Sequence, residues 1–132
     1  MEKSERCNLG RESSGKANGA SQKERNVRIH DCSVHAVVET GEILVVNASG
    51  SSLPAYSFSS DNVIWVVGTQ KIVPTVDEGF KRLREYCFPL EDKRMKSLGY
   101  PGSTLGKFLL FEKEILENRK LTLIFVNEKL GF

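Results

Sequence analysis

Residues 35–73 read HAVVETGEILVVNASGSSLPAYSFSSDNVIWVVGTQKIV. Three apolar runs, at 34–38, 43–46 and 63–67, are predicted strands, and turns of small polar residues separate them. The first strand covers about Ser33–Val38, Glu39-Thr40-Gly41 makes the turn, and Ile43–Val46 returns as an antiparallel hairpin or tight strand pair. Val63–Val67 is apolar without alternation, the pattern of a strand covered on both faces. Strands that feed Ser-, Gly- and Thr-rich turns are how an α/β protein builds a site at its strand ends.

Outward from this block the same reading continues. Leu53–Ser59 suits a short helix with Pro54 in its first turn. Thr75-Val76-Asp77-Glu78 has the form of a capping box, and Val76, Phe80, Leu83 and Cys87 then share one helical face, with Arg82, Arg84 and Glu85 pointing elsewhere. Pro89 is expected to end that helix, and Leu90–Ser97 to form a short charged one. Gly106–Glu112 and Leu121–Val126 read as two further buried strands joined by a charged linker. Trp65, Tyr56, Phe58 and Phe80 are expected in the core. The fold class is α/β, a sheet with flanking helices.

A chain of 132 residues has room for one modest core. Residues 1–28 hold seven Lys/Arg against four Asp/Glu and almost no large apolar groups. Such a segment buries too little surface to offset its ordering entropy, so residues 1–30 are expected to be a disordered leader, with 31–132 as the domain. The remainder is nearly neutral, which excludes an electrostatic partner such as nucleic acid, and basic residues do not interleave with aromatics as base stacking requires. No apolar run nears the roughly 20 residues needed to cross a bilayer. Cys7, Cys32 and Cys87 form neither a metal knuckle nor a disulfide framework, and read as reduced thiols of a cytoplasmic protein, Cys87 as core filler.

Four features carry possible chemistry. Glu39 sits in the turn between two strands, either as a nucleophile, base or ligand anchor, or as an ordinary solvent-facing turn residue. Asn47-Ala48-Ser49-Gly50-Ser51-Ser52 offers N–H groups and hydroxyls before the short helix, either a cradle for phosphate or carboxylate through Asn47, Ser49, Gly50 and Ser51, or a plain connection. It matches neither a P-loop nor a dinucleotide fingerprint. Lys71 follows a strand end, where it can neutralise an anionic ligand or simply face water. His35 lacks a second ligand at metal spacing and reads as a packed or hydrogen-bonded histidine.

The segments VHAVVETGEILVV, SGSSLPAYSFSSDNVIWVVGTQKIV, EGFKRLREYCFPLEDKR and LIFVNEKLGF, in that order, resemble the LUD domain of lactate-utilization proteins, from about Asp31 to Phe132. The resemblance implies a fold like that of the NagB/RpiA/CoA-transferase group. It also implies a role in oxidising L-lactate to pyruvate beside iron–sulfur partner subunits. Some members carry ferredoxin-like cysteine motifs; this sequence has none, so it resembles the cluster-free type, with no cofactor of its own and any cluster on a partner chain. A LUD domain normally has an N-terminal half with a Gly-Gly-Ser-type loop, which residues 1–30 do not show. The resemblance therefore implies the C-terminal half only, a truncated domain, and an inactive fragment is one outcome. By fold analogy, Glu39-Thr40-Gly41 is similar to the E-N-G turn that bears the catalytic glutamate of some CoA-transferases. The alternative function is thus an enzyme acting on an acyl or phosphorylated small molecule through Glu39.

Overall fold

The computed structural model describes residues 34–132. The expectations that fall on residues 1–33, namely the disordered leader, Cys7 and Cys32, lie outside the described residues. Strand β1 (Ala36–Val38) and β2 (Ile43–Asn47) form the antiparallel hairpin, with Ala36 opposite Leu44 and Val37 opposite Ile43. Gly41, at φ 113°, closes the turn between them by donating its N–H to Val38 O. A π-turn at Ala55–Ser59 leads to β3 (Asn62–Gly68), a 3-10 turn at Thr69–Lys71 and β4 (Ile72–Val73). Helix α1 (Val76–Arg82), helix α2 (Phe88–Ser97), β5 (Lys107–Phe111) and β6 (Lys120–Val126) complete the chain. The architecture is α/β.

The strands form two sheets. One has the order β4-β1-β2-β5, with β4 parallel to β1 and β5 antiparallel to β2; the other is a parallel pair of β3 and β6. Three-residue β1 is central because both of its faces are covered. On one side Val34, Val37, Ile43 and Val45 pack against Tyr56, Val63, Trp65 and Val67 of the second sheet's layer. On the other, Ala36, Val38, Leu44 and Val73 pack under Leu83, with Val76 and Phe80 of α1 alongside. Each fully buried aliphatic side chain contributes about 1.5–3 kcal/mol, so the two small cores compensate for the shortness of the strand. Trp65 meets both Tyr56 and Phe111 edge-on, with centroids 5.6 and 5.8 Å away.

The structure differs from four expectations. The β3 strand is buried on one face only: Val63, Trp65 and Val67 point inward, while Val66 is 51% exposed and its registered neighbour Ile124 is 45% exposed. An apolar strand sequence does not say how many layers cover it. Strands β5 and β6 are likewise half-buried at most, since no residue in either is fully buried. Phe58 lies outside the core, at 74% exposure, because the π-turn directs Tyr56 inward instead.

The fourth correction concerns Pro89, which does not end the helix. The segment Leu83–Cys87 widens to π geometry, in which the Phe88 N–H reaches back five residues to Leu83 O. Pro89 then sits in the first turn of α2. A proline lacks an N–H and crowds the carbonyl four residues earlier, and a π segment placed just before it relieves both demands. The N-cap of α1 is as the sequence indicates, with Thr75 Oγ1 accepting from Glu78 N at 3.2 Å.

Candidate functional site

The β1–β2 hairpin separates the expected site residues. The turn carrying Glu39 lies at one end of the four-stranded sheet. Lys71, at the start of β4, and Asn47, at the end of β2, lie at the other. The β4-β1-β2 order places Lys71 two strands from Asn47, and the register sets it level with Leu44, three residues short of Asn47. Glu39 is exposed, and its backbone N–H donates to Val73 O. Thr40 Oγ1 in the same turn bonds the Glu42 carboxylate and holds it below the usual carboxylate range.

The Asn47–Ser52 loop is closed upon itself. Asn47 Oδ1 accepts from Gly50 N at 2.6 Å and from Ser49 Oγ at 3.3 Å, while Asn47 Nδ2 donates to Ser52 Oγ at 2.9 Å. The Ser51 N–H is taken by Ser49 Oγ at 3.3 Å. Lys107 Nζ donates to Ser49 O at 2.6 Å, and its stem fills the space where a Cβ on Gly50 would sit. The donors that the sequence offered for an anion are thus largely spent on the loop itself.

The other half of this end is different. Lys71 follows the carboxyl end of β3, and β3 and β6 run parallel, so Lys71 stands where open α/β sheets place their ligands. Its side chain is only 3% exposed, and Nζ donates to Val34 O at 3.0 Å. No carboxylate among the described residues forms an ion pair with it. Burial lowers its pKa, Cys87 opposes that shift, and the Arg82 charge adds to it. The terminal segment braces the turn from outside: Gln70 Nε2 donates to Leu130 O at 2.9 Å, Thr69 Oγ1 meets Asn127 Oδ1 at 3.3 Å, and Gly131 lies against Lys71 Nζ.

Two further residues join this site: Arg82, which the sequence turns away from the core, and His35, which is the hydrogen-bonded histidine that the sequence indicates. Arg82 turns inward from α1, and its Nε donates to His35 O at 3.1 Å while its Nη2 is buried without a partner among the described residues. Its guanidinium also lies over the Tyr86 ring, 4.8 Å from the centroid. The helical-face count had placed Arg82 away from the core, but the residue reaches a backbone carbonyl beyond the face its own Cβ marks.

His35 is aimed by a bulge. Its N–H bonds Leu44 O at 3.0 Å, although Leu44 is registered with Ala36, so two residues of one strand oppose one of the other. Its Nδ1 accepts from Val46 N of β2 at 3.3 Å. Burial, first, and then the Lys71 charge bring its pKa down to about 4, so the ring is neutral. Cys87 is buried beside Arg82 and Lys71, and burial pushes its thiol up. Among the described residues no group of His, Cys, Asp or Glu is arranged to hold a metal ion, and no helix is long and apolar enough to cross a membrane.

No curated protein and no solved structure matches the chain. One family profile does: that of the LUD domain, over residues 16–101, roughly two thirds of the sequence. The match takes in the β1–β2 hairpin, β3, Lys71, α1 and α2, and leaves out Lys107 and the bracing tail. The chain belongs to the LUD-domain family, whose members are associated with lactate utilization.

Proposed function

We propose that this chain is a non-redox subunit of an L-lactate-utilizing system, one that binds a small anion at the carboxyl ends of β3 and β6 while iron–sulfur partner subunits carry the electrons. The observation that supports this reading most is Lys71: a lysine 3% exposed, its ammonium held by one backbone carbonyl, with no carboxylate paired to it among the described residues. An uncompensated buried charge is costly, and an anion that enters beside it recovers that cost. Family membership supplies the metabolic setting. Glu39 is at the opposite end of the sheet and takes no part in this reading.

The test is reconstitution. Lactate oxidation is measured with the iron–sulfur subunits in the presence of this chain, of its Lys71→Met variant, and of neither. The reading requires activity that depends on the chain and falls with Lys71→Met. Equal activity without the chain would sink it.

A further inference from the structure

We propose that the Lys71 site is a seat for a doubly charged oxyanion, a phosphate group, bound between Lys71 Nζ and Arg82 Nη2. The proposal rests on the reading that this end of the sheet takes an anion, and it names the class. Lys71 and Arg82 hold successive carbonyls of the chain entering β1, those of Val34 and His35, at 3.0 and 3.1 Å. Each is thereby anchored at one donor and left with others unspent. Among the described residues Arg82 Nη2 is buried with no partner, and Lys71 has no hydrogen bond other than that to Val34 O.

The charges around this pair do not cancel. The Glu91 carboxylate is close enough to act on His35, but it is forked by Arg94 at 2.6 and 2.7 Å and pairs with neither Lys71 nor Arg82. Asp92 is taken by Lys96, and Glu114 by Arg119. The imidazole of His35 is neutral and supplies no counter-charge. Two cations, Lys71 buried and Arg82 half-buried, with no anionic partner among the described residues match a dianion better than a monoanion. A planar guanidinium beside a point-charge ammonium is a recurrent phosphate-binding pair. The Tyr86 ring, 38% exposed, flanks Arg82 and fixes the plane in which Nη2 presents its N–H.

Titration calorimetry and thermal melts at constant ionic strength test this, with inorganic phosphate, a phosphomonoester, L-lactate, acetate and chloride as separate probes. Phosphate or the phosphomonoester should raise the melting temperature and acetate and chloride should not; a response to the ester alone identifies a phosphorylated metabolite as the source. Arg82→Lys keeps the charge but loses the fork, and should weaken phosphate about tenfold. Lys71→Met should abolish the phosphate response while the free protein melts no lower than the parent, because an unpaired buried charge is removed. That pairing keeps a lost response from being mistaken for a misfolded variant.

Binding of L-lactate without phosphate would overturn the dianion seat and leave the proposed function standing. A phosphate response unchanged in both variants would place the anion elsewhere and overturn the proposal. No response to any probe would overturn both.

Discussion

The backbone N–H of Val46 donates to Nδ1 of His35 across 3.3 Å, where a regular antiparallel ladder would present a carbonyl oxygen. Continued from the Ala36–Leu44 pair, the register would bring Val34 O to this N–H, but that carbonyl accepts from Lys71 Nζ instead. A side chain thus substitutes for backbone in the ladder of the central hairpin, and it can do so only while Nδ1 is unprotonated.

Stability should therefore fall in mild acid. The His35 pKa is about 4 in the folded chain against 6.5 for a free histidine. Between those values the unfolded chain binds a proton that the folded chain refuses. The contribution is fully present above pH 6.5, declines as the pH falls toward 4, and levels off below that. Between pH 7.5 and 5 the loss should be about 2 kcal/mol, measured by urea unfolding. His35→Asn retains an acceptor and does not titrate, so its profile over this interval should be flat. A parent profile that is equally flat would show that the imidazole does not hold Val46.

A second linkage of side chain to backbone holds the entry to β3. Arg119, 7% exposed, donates to the carbonyls of Ala55, Tyr56, Ser57 and Ser60 and pairs with Glu114. A π-turn of five residues leaves its carbonyls without helical partners, and one guanidinium satisfies most of them. Arg119→Lys should cost about 3 kcal/mol, because an ammonium cannot fork across four acceptors and Glu114 would lose its partner. Glu114→Gln should cost less than half as much in the same denaturation experiment.

Much of the fold is legible in the sequence, and the reason is local. The E-T-G turn, the Thr75 N-cap and the apolar runs each specify their own conformation within a few residues. What the sequence leaves open is set by distant contacts. Val63–Val67 reads as doubly covered because alternation is absent, yet only packing determines that Val66 faces water. Arg119 reads as linker because its acceptors lie about 60 residues away. His35 and Arg82 read as bystanders because a bulge and a long side chain place them, and neither leaves a periodic signal. The Asn47–Ser52 loop reads as a cradle from its composition, whereas its donors close on Asn47 and Ser49. Cys87, by contrast, is buried as its helical position implies.

The contact between α1 and the sheet should be sensitive to a single methyl group. A Cβ on Gly79 would come within 2.2 Å of Leu44 Cδ1, with Val73 and Ala36 closing the other sides. Leu44 is fully buried and has nowhere to swing. Alanine gains about 1 kcal/mol of helix propensity over glycine, but overpacking costs about 1–3 kcal/mol, so the clash should prevail. Gly79→Ala should lower stability, and combining it with Leu44→Val should recover part of the loss. Strict additivity of the two changes would argue against the contact.

The last prediction concerns the tail that covers Lys71. A Cβ on Gly68 would come within 2.5 Å of Glu128 O, 2.8 Å of Leu130 N and 2.0 Å of Gln70 Oε1. Two of these three atoms are backbone, so relief requires moving the Asn127–Gly131 segment rather than turning a side chain. The segment is held on the turn by Gln70 to Leu130 O and Thr69 to Asn127, and by little else that is buried. Such a segment opens more readily than the core it lies on. Gly68→Ala should therefore speed amide exchange across residues 127–132 at least about tenfold, leave exchange in β1 and β2 unchanged, and expose Lys71 to acylating reagents. Uniform acceleration across both sheets would mean instead that the tail and the core open as one unit.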